Sequence, residues 1–255
     1  MDAPAAPLET VRDGLTELVD YAGLFPPARL DMSQALAEYV AARQGEGGWM
    51  LGRFIVPATR ADELAGLAGG DEVTLSVIVD TKTESRGWVD EAASALSRLA
   101  DFRRRHPALG IGALEIRLPP LERLRDSYDA SVGQFAAIRA GTGFQTIDAY
   151  LELPFDTRWR SELLGALRAM ARSSLCAKIR CGGETAPAFP SPQDVAAFVF
   201  AAREEGVPYK ATAGLHHPFR HYDKATGFMM HGFLNLLAAA AAASQSAPIE
   251  TIEQI

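Results

Sequence analysis

One pattern recurs along these 255 residues: a short run rich in Val, Ile and Leu, then a loop, then an amphipathic helical stretch. Apolar runs at residues 18–25, 50–56, 73–80, 111–118, 147–155, 175–181 and 207–212 read as strands. The first closes on Pro26-Pro27. Asp31 is placed to cap the next helix, with Gln34 at the capping-box position. Thr59, with Asp62 three residues on, reads as the cap of a short helix. Helices are expected over 88–105, 121–140, 159–173 and 227–243. Ser191-Pro192-Gln193-Asp194 marks another helix start, a capping Ser followed by Pro at the first helical position. Seven β-α units in strict alternation call for a parallel sheet covered by helices.

A spacing of roughly 30 residues per unit suits either a barrel or a doubly wound sheet. The strands separate the two. Central strands of a doubly wound sheet are apolar on both faces. Here Glu115 and Arg117 share one face of the fourth run, Tyr150 and Glu152 of the fifth, Lys178 and Arg180 of the sixth, and Lys210 and Thr212 of the seventh. The opposite face carries Leu114, Ile116, Leu151, Leu153, Ala177 and Ile179. A strand with helices on one side and a polar barrel interior on the other has this signature. The expectation is an α/β fold: a single (β/α) TIM-type barrel domain of parallel strands over 1–255. A closed barrel needs eight strands, and seven are counted. Either a strand is hidden, or the eighth is lacking or truncated, or a partner completes the barrel. The tail at 249–255 reads as the start of a capped helix.

With 48% hydrophobic and 22% charged residues and a formal net charge of -7, the composition is that of a globular domain. It lacks the basic runs a nucleic-acid partner needs. Cys176 and Cys181 are not in a C-x-x-C pair, which fits a reducing cytoplasm rather than a disulfide framework or zinc site. No signal peptide is read at the start. The most apolar stretch, 233–243, is far short of the roughly 20 residues of a membrane span.

Charges inside a barrel are costly unless paired. The expected interior set is Glu115, Arg117, Glu152, Lys178, Arg180 and Lys210, joined by Arg53 and Asp20. More bases than acids suits a small anionic substrate, a carboxylate or phosphate; a purely structural ion-pair network is the alternative. Lys178 and Lys210 lie at equivalent depth on adjacent strands. A lysine beside another cation, shielded from water, has its pKa lowered and can attack a carbonyl to form a Schiff base. Both could instead be anion ligands. Glu115 and Glu152 are the candidate acid/base groups, and Arg180 and Arg53 the candidate anion clamps. Asp20, Tyr21 and Thr212 offer further polar groups. Gly182-Gly183 and Gly214 permit close backbone approach by a ligand.

In A-K-I-R-C-G-G around Lys178 and Y-K-A-T-A-G-L around Lys210, the chain resembles class I aldolases of the deoxyribose-phosphate type. That resemblance implies a Schiff-base lysine on strand six, a second lysine on strand seven and lyase activity. Arg180 departs from it, standing where those aldolases carry a small polar residue. The acidic partner they carry on strand three has only Asp80 as a counterpart, and the His216-His217-Pro218 segment is foreign to them. The motifs D-Y-A-G-L-F-P-P-A and K-A-T-A-G-L-H-H-P are also similar to a group of uncharacterised bacterial TIM-barrel proteins.

His216 and His217 could shuttle protons, clamp a phosphate or, with Glu115 and Glu152, hold a divalent metal, although neither H-x-H nor H-E-x-x-H spacing is present. No resident cofactor is expected. His231 reads as a packing or capping residue and His106 as the solvated end of a helix. Three functions follow: a Schiff-base lyase acting on a small anionic carbonyl compound, a metal-assisted isomerase or hydrolase, or a non-catalytic barrel binding an anionic metabolite or a partner. A homo-oligomer is compatible with each.

Overall fold

The computed structural model describes residues 7–69, 71–81, 87–120, 127–155, 158–183, 185, 188–224 and 227–255. Its strands run in chain order through one parallel sheet, β1 to β7, with helices between them. The fold is α/β, a (β/α) TIM-type barrel with seven sheet strands among the described residues. Two compact units are distinguishable, and each is described by itself.

The first unit draws on residues 1–80 and 94–114. It holds α1 (Pro7–Leu15), β1 (Val19–Tyr21), α2 (Met32–Gln44), β2 (Leu51–Pro57), α3 (Ala61–Leu67) and β3 (Val73–Ile78). Residues from α4 (Trp88–Arg105) and β4 (Leu109–Arg117) complete it. Asp31 caps α2 as expected, accepting the Gln34 N–H at 2.8 Å. Phe54 and Val56 on β2 and Leu75 and Val77 on β3 are fully buried in its core. Tyr39 stacks with Tyr21 and Phe54 and donates its hydroxyl to the Gly52 carbonyl at 2.9 Å.

Thr59 caps nothing. Residues Ala58–Arg60 form a 3-10 turn, and both the hydroxyl and the backbone N–H of Thr59 bind the Asp80 carboxylate, at 2.9 and 3.0 Å. Asp80 therefore serves as an anchor for this turn.

Asp20 also has a structural task. β1 and β2 pair through Val19↔Leu51 and Tyr21↔Phe54, so two steps on β1 match three on β2. Such an irregularity removes a backbone N–H from the ladder. The Asp20 carboxylate takes the Arg53 N–H at 2.7 Å. Gly52 leaves room for it, since a Cβ there would lie 2.6 Å from Asp20 Oδ1.

The second unit draws on residues 81–93 and 115–255. It contains α5 (Tyr128–Gly141), β5 (Asp148–Glu152), α6 (Trp159–Arg172), β6 (Cys176–Arg180), α7 (Pro192–Glu204) and β7 (Tyr209–Thr212). The antiparallel hairpin β8 (His221–Asp223) and β9 (Phe228–Met230) follows, then α8 (Phe233–Ser244) and α9 (Ile249–Gln254). Ser191 and Asp194 form a reciprocal capping box at the start of α7. Leu151, Ala177 and Ile179 are buried on the apolar face of the strands, as the alternation requires.

Two expected helix starts moved, and the first strand, expected over 18–25, is only Val19–Tyr21. The helix expected from 121 is observed as α5 from Tyr128; residues 121–126 lie outside the described residues. The helix expected from 227 begins at Phe233, because Phe228–Met230 pairs with His221–Asp223 instead. Strands of three residues are too short to show alternation in a sequence. Among the described residues, no helix is long and apolar enough to cross a membrane.

Replacing Asp20 by Ala removes the acceptor of the Arg53 N–H. The expected loss is about 1–3 kcal/mol of unfolding free energy, the cost of stranding a partly buried donor. Asp20→Asn keeps an acceptor oxygen and should lose less. Urea unfolding of the two variants checks this.

Candidate functional site

Parallel register sets the site. Glu152 on β5 is level with Lys178 on β6, and Lys178 is level with Lys210 on β7. Because side chains alternate across a strand, residues at matched positions of neighbouring strands share a face. Glu115, near the end of β4, reaches the same group. Its two oxygens divide between the lysines: Oε2 lies 2.9 Å from Lys178 Nζ, and Oε1 accepts from Lys210 Nζ at 2.6 Å. Lys178 Nζ also lies 3.1 Å from Glu152 Oε2. Glu152 Oε1 in turn is 3.4 Å from Arg117 Nε. Charges thus alternate from Lys210 through Glu115, Lys178 and Glu152 to Arg117.

The carboxylates are the most buried members of this series and Arg117 the least. The side chains of Glu115 and Glu152 are 1% and 4% exposed, those of Lys178 and Lys210 10% and 14%, and that of Arg117 49%. The Lys210 ammonium also lies 5.9 Å from the centroid of the Tyr150 ring. The backbone end of β4 is held by Trp88, whose indole N–H donates to the Arg117 carbonyl at 3.0 Å. The Leu118 N–H donates to the Glu152 carbonyl at 2.9 Å.

The protonation of Lys178 differs from the expectation. Burial favours the neutral amine, and a neighbouring lysine would favour it further. The charges of Glu115 and Glu152, and their hydrogen bonds to the ammonium, outweigh burial, so the Lys178 pKa is raised above its ordinary value. In its resting state Lys178 is an ammonium.

The other candidates are placed as follows. Arg180 ends β6 and donates its Nε–H to the Gly182 carbonyl at 2.9 Å, which fixes its direction. Thr212 ends β7 opposite Arg180, and its carbonyl accepts the Cys181 N–H at 2.8 Å. The glycines have a tighter task than ligand approach. A Cβ on Gly182 would meet Gly214 Cα at 2.8 Å, and one on Gly214, at φ +71°, would meet the Cys181 carbonyl at 2.8 Å. They let the two strand-end loops touch each other. A Cβ on Gly183 would meet the Ala188 side chain at 2.6 Å. Asp20 and Arg53 belong to the first unit, where the carboxylate serves the backbone of the arginine.

His216 and His217 are exposed. The ring of His217 packs edge-to-face on His221, with centroids 4.2 Å apart. His231 precedes α8 and shares a 2.7 Å hydrogen bond with the Pro190 carbonyl; burial lowers its pKa. Among the described residues no group of three or more His, Cys, Asp or Glu side chains is arranged to hold a metal ion. The carboxylates of Glu115 and Glu152 are engaged by the lysines. The Cys181 thiol is fully buried and pushed up to about 12. The sequence placed Arg117 on the right face but did not single it out; its tie to Glu152 depends on side-chain reach.

No family model matches the chain, and no curated protein matches it. Among solved structures it is similar to the deoxyribose phosphate aldolase from Aeropyrum pernix, described as having a unique tetrameric structure. The TM-score is 0.59 at 15% identity, over 95% of this chain and 92% of that one. At this identity the likeness speaks for the fold.

Glu115→Ala would leave two largely buried ammoniums without their shared carboxylate. A loss of about 3–5 kcal/mol is expected, the usual cost of breaking a buried pair from one side. The combination of Glu115→Leu with Lys178→Met removes charge from both sides and should recover part of that loss. Denaturant titration of the single and double variants measures the difference.

Proposed function

We propose that this chain is a lyase of the Schiff-base type acting on a small anionic carbonyl compound. The observation that carries the proposal is Lys178, buried between Glu115 and Glu152 and level with a second lysine that shares Glu115. The similarity of fold to an aldolase supports it.

The chemistry follows from charge. An ammonium does not attack a carbonyl; an amine does. Glu115 and Glu152 lie within hydrogen-bond reach of Lys178 Nζ, so either can take its proton. The free amine adds to the carbonyl carbon. The protonated glutamate then returns a proton to the departing hydroxyl, which leaves as water. The resulting iminium carries the same single positive charge as the ammonium it replaces. A pocket built to hold the ammonium therefore also holds the iminium. A glutamate then takes the proton of a hydroxyl two carbons from the iminium carbon. The bond between that carbon and the one next to the iminium breaks, releasing a second carbonyl compound and sending its electron pair into the iminium. The resulting enamine is protonated on carbon and hydrolysed. Lys178, Lys210, Arg117 and Arg180 outnumber the two carboxylates, so the site keeps a positive surplus for an anionic substrate.

The raised pKa of Lys178 also favours a second reading, an anion-binding barrel without turnover, in which both lysines stay charged. Borohydride reduction separates the two. With glyoxylate or a phosphorylated aldehyde present, peptide mass mapping should find reductive modification at Lys178, lost in Lys178→Arg and reduced at least about tenfold in Glu152→Gln. Modification of neither Lys178 nor Lys210 ends the Schiff-base proposal and leaves the binding reading. Because Lys178 must shed a proton that its folded environment retains, trapping should speed up as the pH rises through the alkaline range.

Assembly is part of the proposal. The similar aldolase is described as a tetramer, and Phe219, Tyr222, Met229, Phe233 and Leu234 are exposed apolar residues around the β8–β9 hairpin and the start of α8. Light scattering reads the subunit number directly.

A further inference from the structure

We infer that Arg117 is an anion-triggered switch that makes Lys178 shed its proton more readily. The inference rests on the Schiff-base reading of Lys178 and adds how that site is turned on.

Lys178 poses a problem as a nucleophile. Two carboxylates hold its proton, and its pKa is raised. Something must make one carboxylate the better proton holder when substrate arrives. The two glutamates differ in what else they touch. Glu115 is bridged between two lysines inside the protein. Glu152 has Lys178 on one oxygen and Arg117 on the other. Arg117 is the one member of this chain whose side chain is half exposed, whereas Glu152 is buried to all but 4%. At 3.4 Å, the contact between Arg117 Nε and Glu152 Oε1 is the longest in the network. Arg180 differs in kind, because its Nε–H is tied to the Gly182 carbonyl.

An exposed guanidinium on a long stem exchanges partners readily, and a planar substrate carboxylate or phosphate offers it two-point hydrogen bonding. When Arg117 turns to the substrate anion, Glu152 loses a neighbouring positive charge. A carboxylate without that neighbour binds a proton more strongly. The nearest proton is on Lys178 Nζ, 3.1 Å from Glu152 Oε2. Its transfer to Glu152 becomes easier; the transfer leaves an amine on Lys178 and a carboxylic acid on Glu152, and the total charge is unchanged. The acid is then in place to protonate the departing hydroxyl. Substrates without an anionic group would leave the amine fraction at its resting level. Arg117 thus selects for charge through reactivity as well as binding.

Borohydride trapping at Lys178 with two aldehydes of equal length tests this: glyoxylate, which is anionic, and glycolaldehyde, which is neutral. In the wild-type protein, glyoxylate should trap at least about tenfold faster after correction for the two aldehydes' trapping rates with free lysine, equivalent to one unit of altered proton affinity. Millimolar inorganic phosphate should accelerate trapping of glycolaldehyde. In Arg117→Gln, which removes the positive charge beside Glu152 for good, the preference and the phosphate effect should both vanish, with glycolaldehyde trapped at the faster rate. Arg117→Lys, which keeps the charge but loses the planar fork, should retain part of each. Circular dichroism and thermal unfolding confirm that the variants are folded. Equal trapping of both aldehydes in the wild-type protein, or an unchanged preference in Arg117→Gln, overturns the switch while leaving the Schiff-base lysine intact. Trapping of neither aldehyde at Lys178 overturns both.

Discussion

A single buried carboxylate organises the charge network of this protein. Glu115 is 1% exposed, and its two oxygens hold two lysines from two other strands. An isolated charge at that depth would cost several kcal/mol. Two ammoniums on one carboxylate would in turn leave excess positive charge, and Glu152 offsets part of it by sharing Lys178. The series ends at Arg117, where solvent reaches the network. Each charge has an opposite neighbour, and the end nearest water is Arg117.

This arrangement depends on strand register. Lys178 and Lys210 come level because β6 and β7 pair in parallel with Ala177 against Tyr209 and Lys178 against Lys210. A slip of one residue would turn Lys178 to the face now occupied by Ala177 and Ile179, which are buried among apolar groups. The cost of burying an unpaired ammonium there helps fix the register. The loops above contribute as well, since Gly182 and Gly214 pack backbone to backbone and hold the ends of β6 and β7 together. The glycines shape the site by letting these backbones meet.

Much of the fold was legible in the residues. Helix α4 spans Trp88–Arg105 as its periodicity and charges indicate, with Asp90 and Glu91 in its first turn and three arginines in its last. Ser191 and Asp194 announce α7. The alternation of charged and apolar residues placed Glu115, Glu152, Lys178 and Lys210 on polar strand faces. The hairpin β8–β9 was not legible, because three-residue strands carry no period. Nor was the work of Asp20 and Thr59. Both read as chemistry-bearing or capping residues, yet each satisfies hydrogen bonds with residues more than twenty positions away.

The sequence by itself determined the class of fold and which side chains share a face, because both follow from local periodicity: two residues per repeat in a strand, 3.6 in a helix. Only the tertiary structure decided which charge meets which. It reversed the expected protonation of Lys178, since two carboxylates from β4 and β5 outweigh burial. Electrostatic energy depends on distances of a few ångströms between groups far apart in the chain, and those distances exist only once the strands are in register.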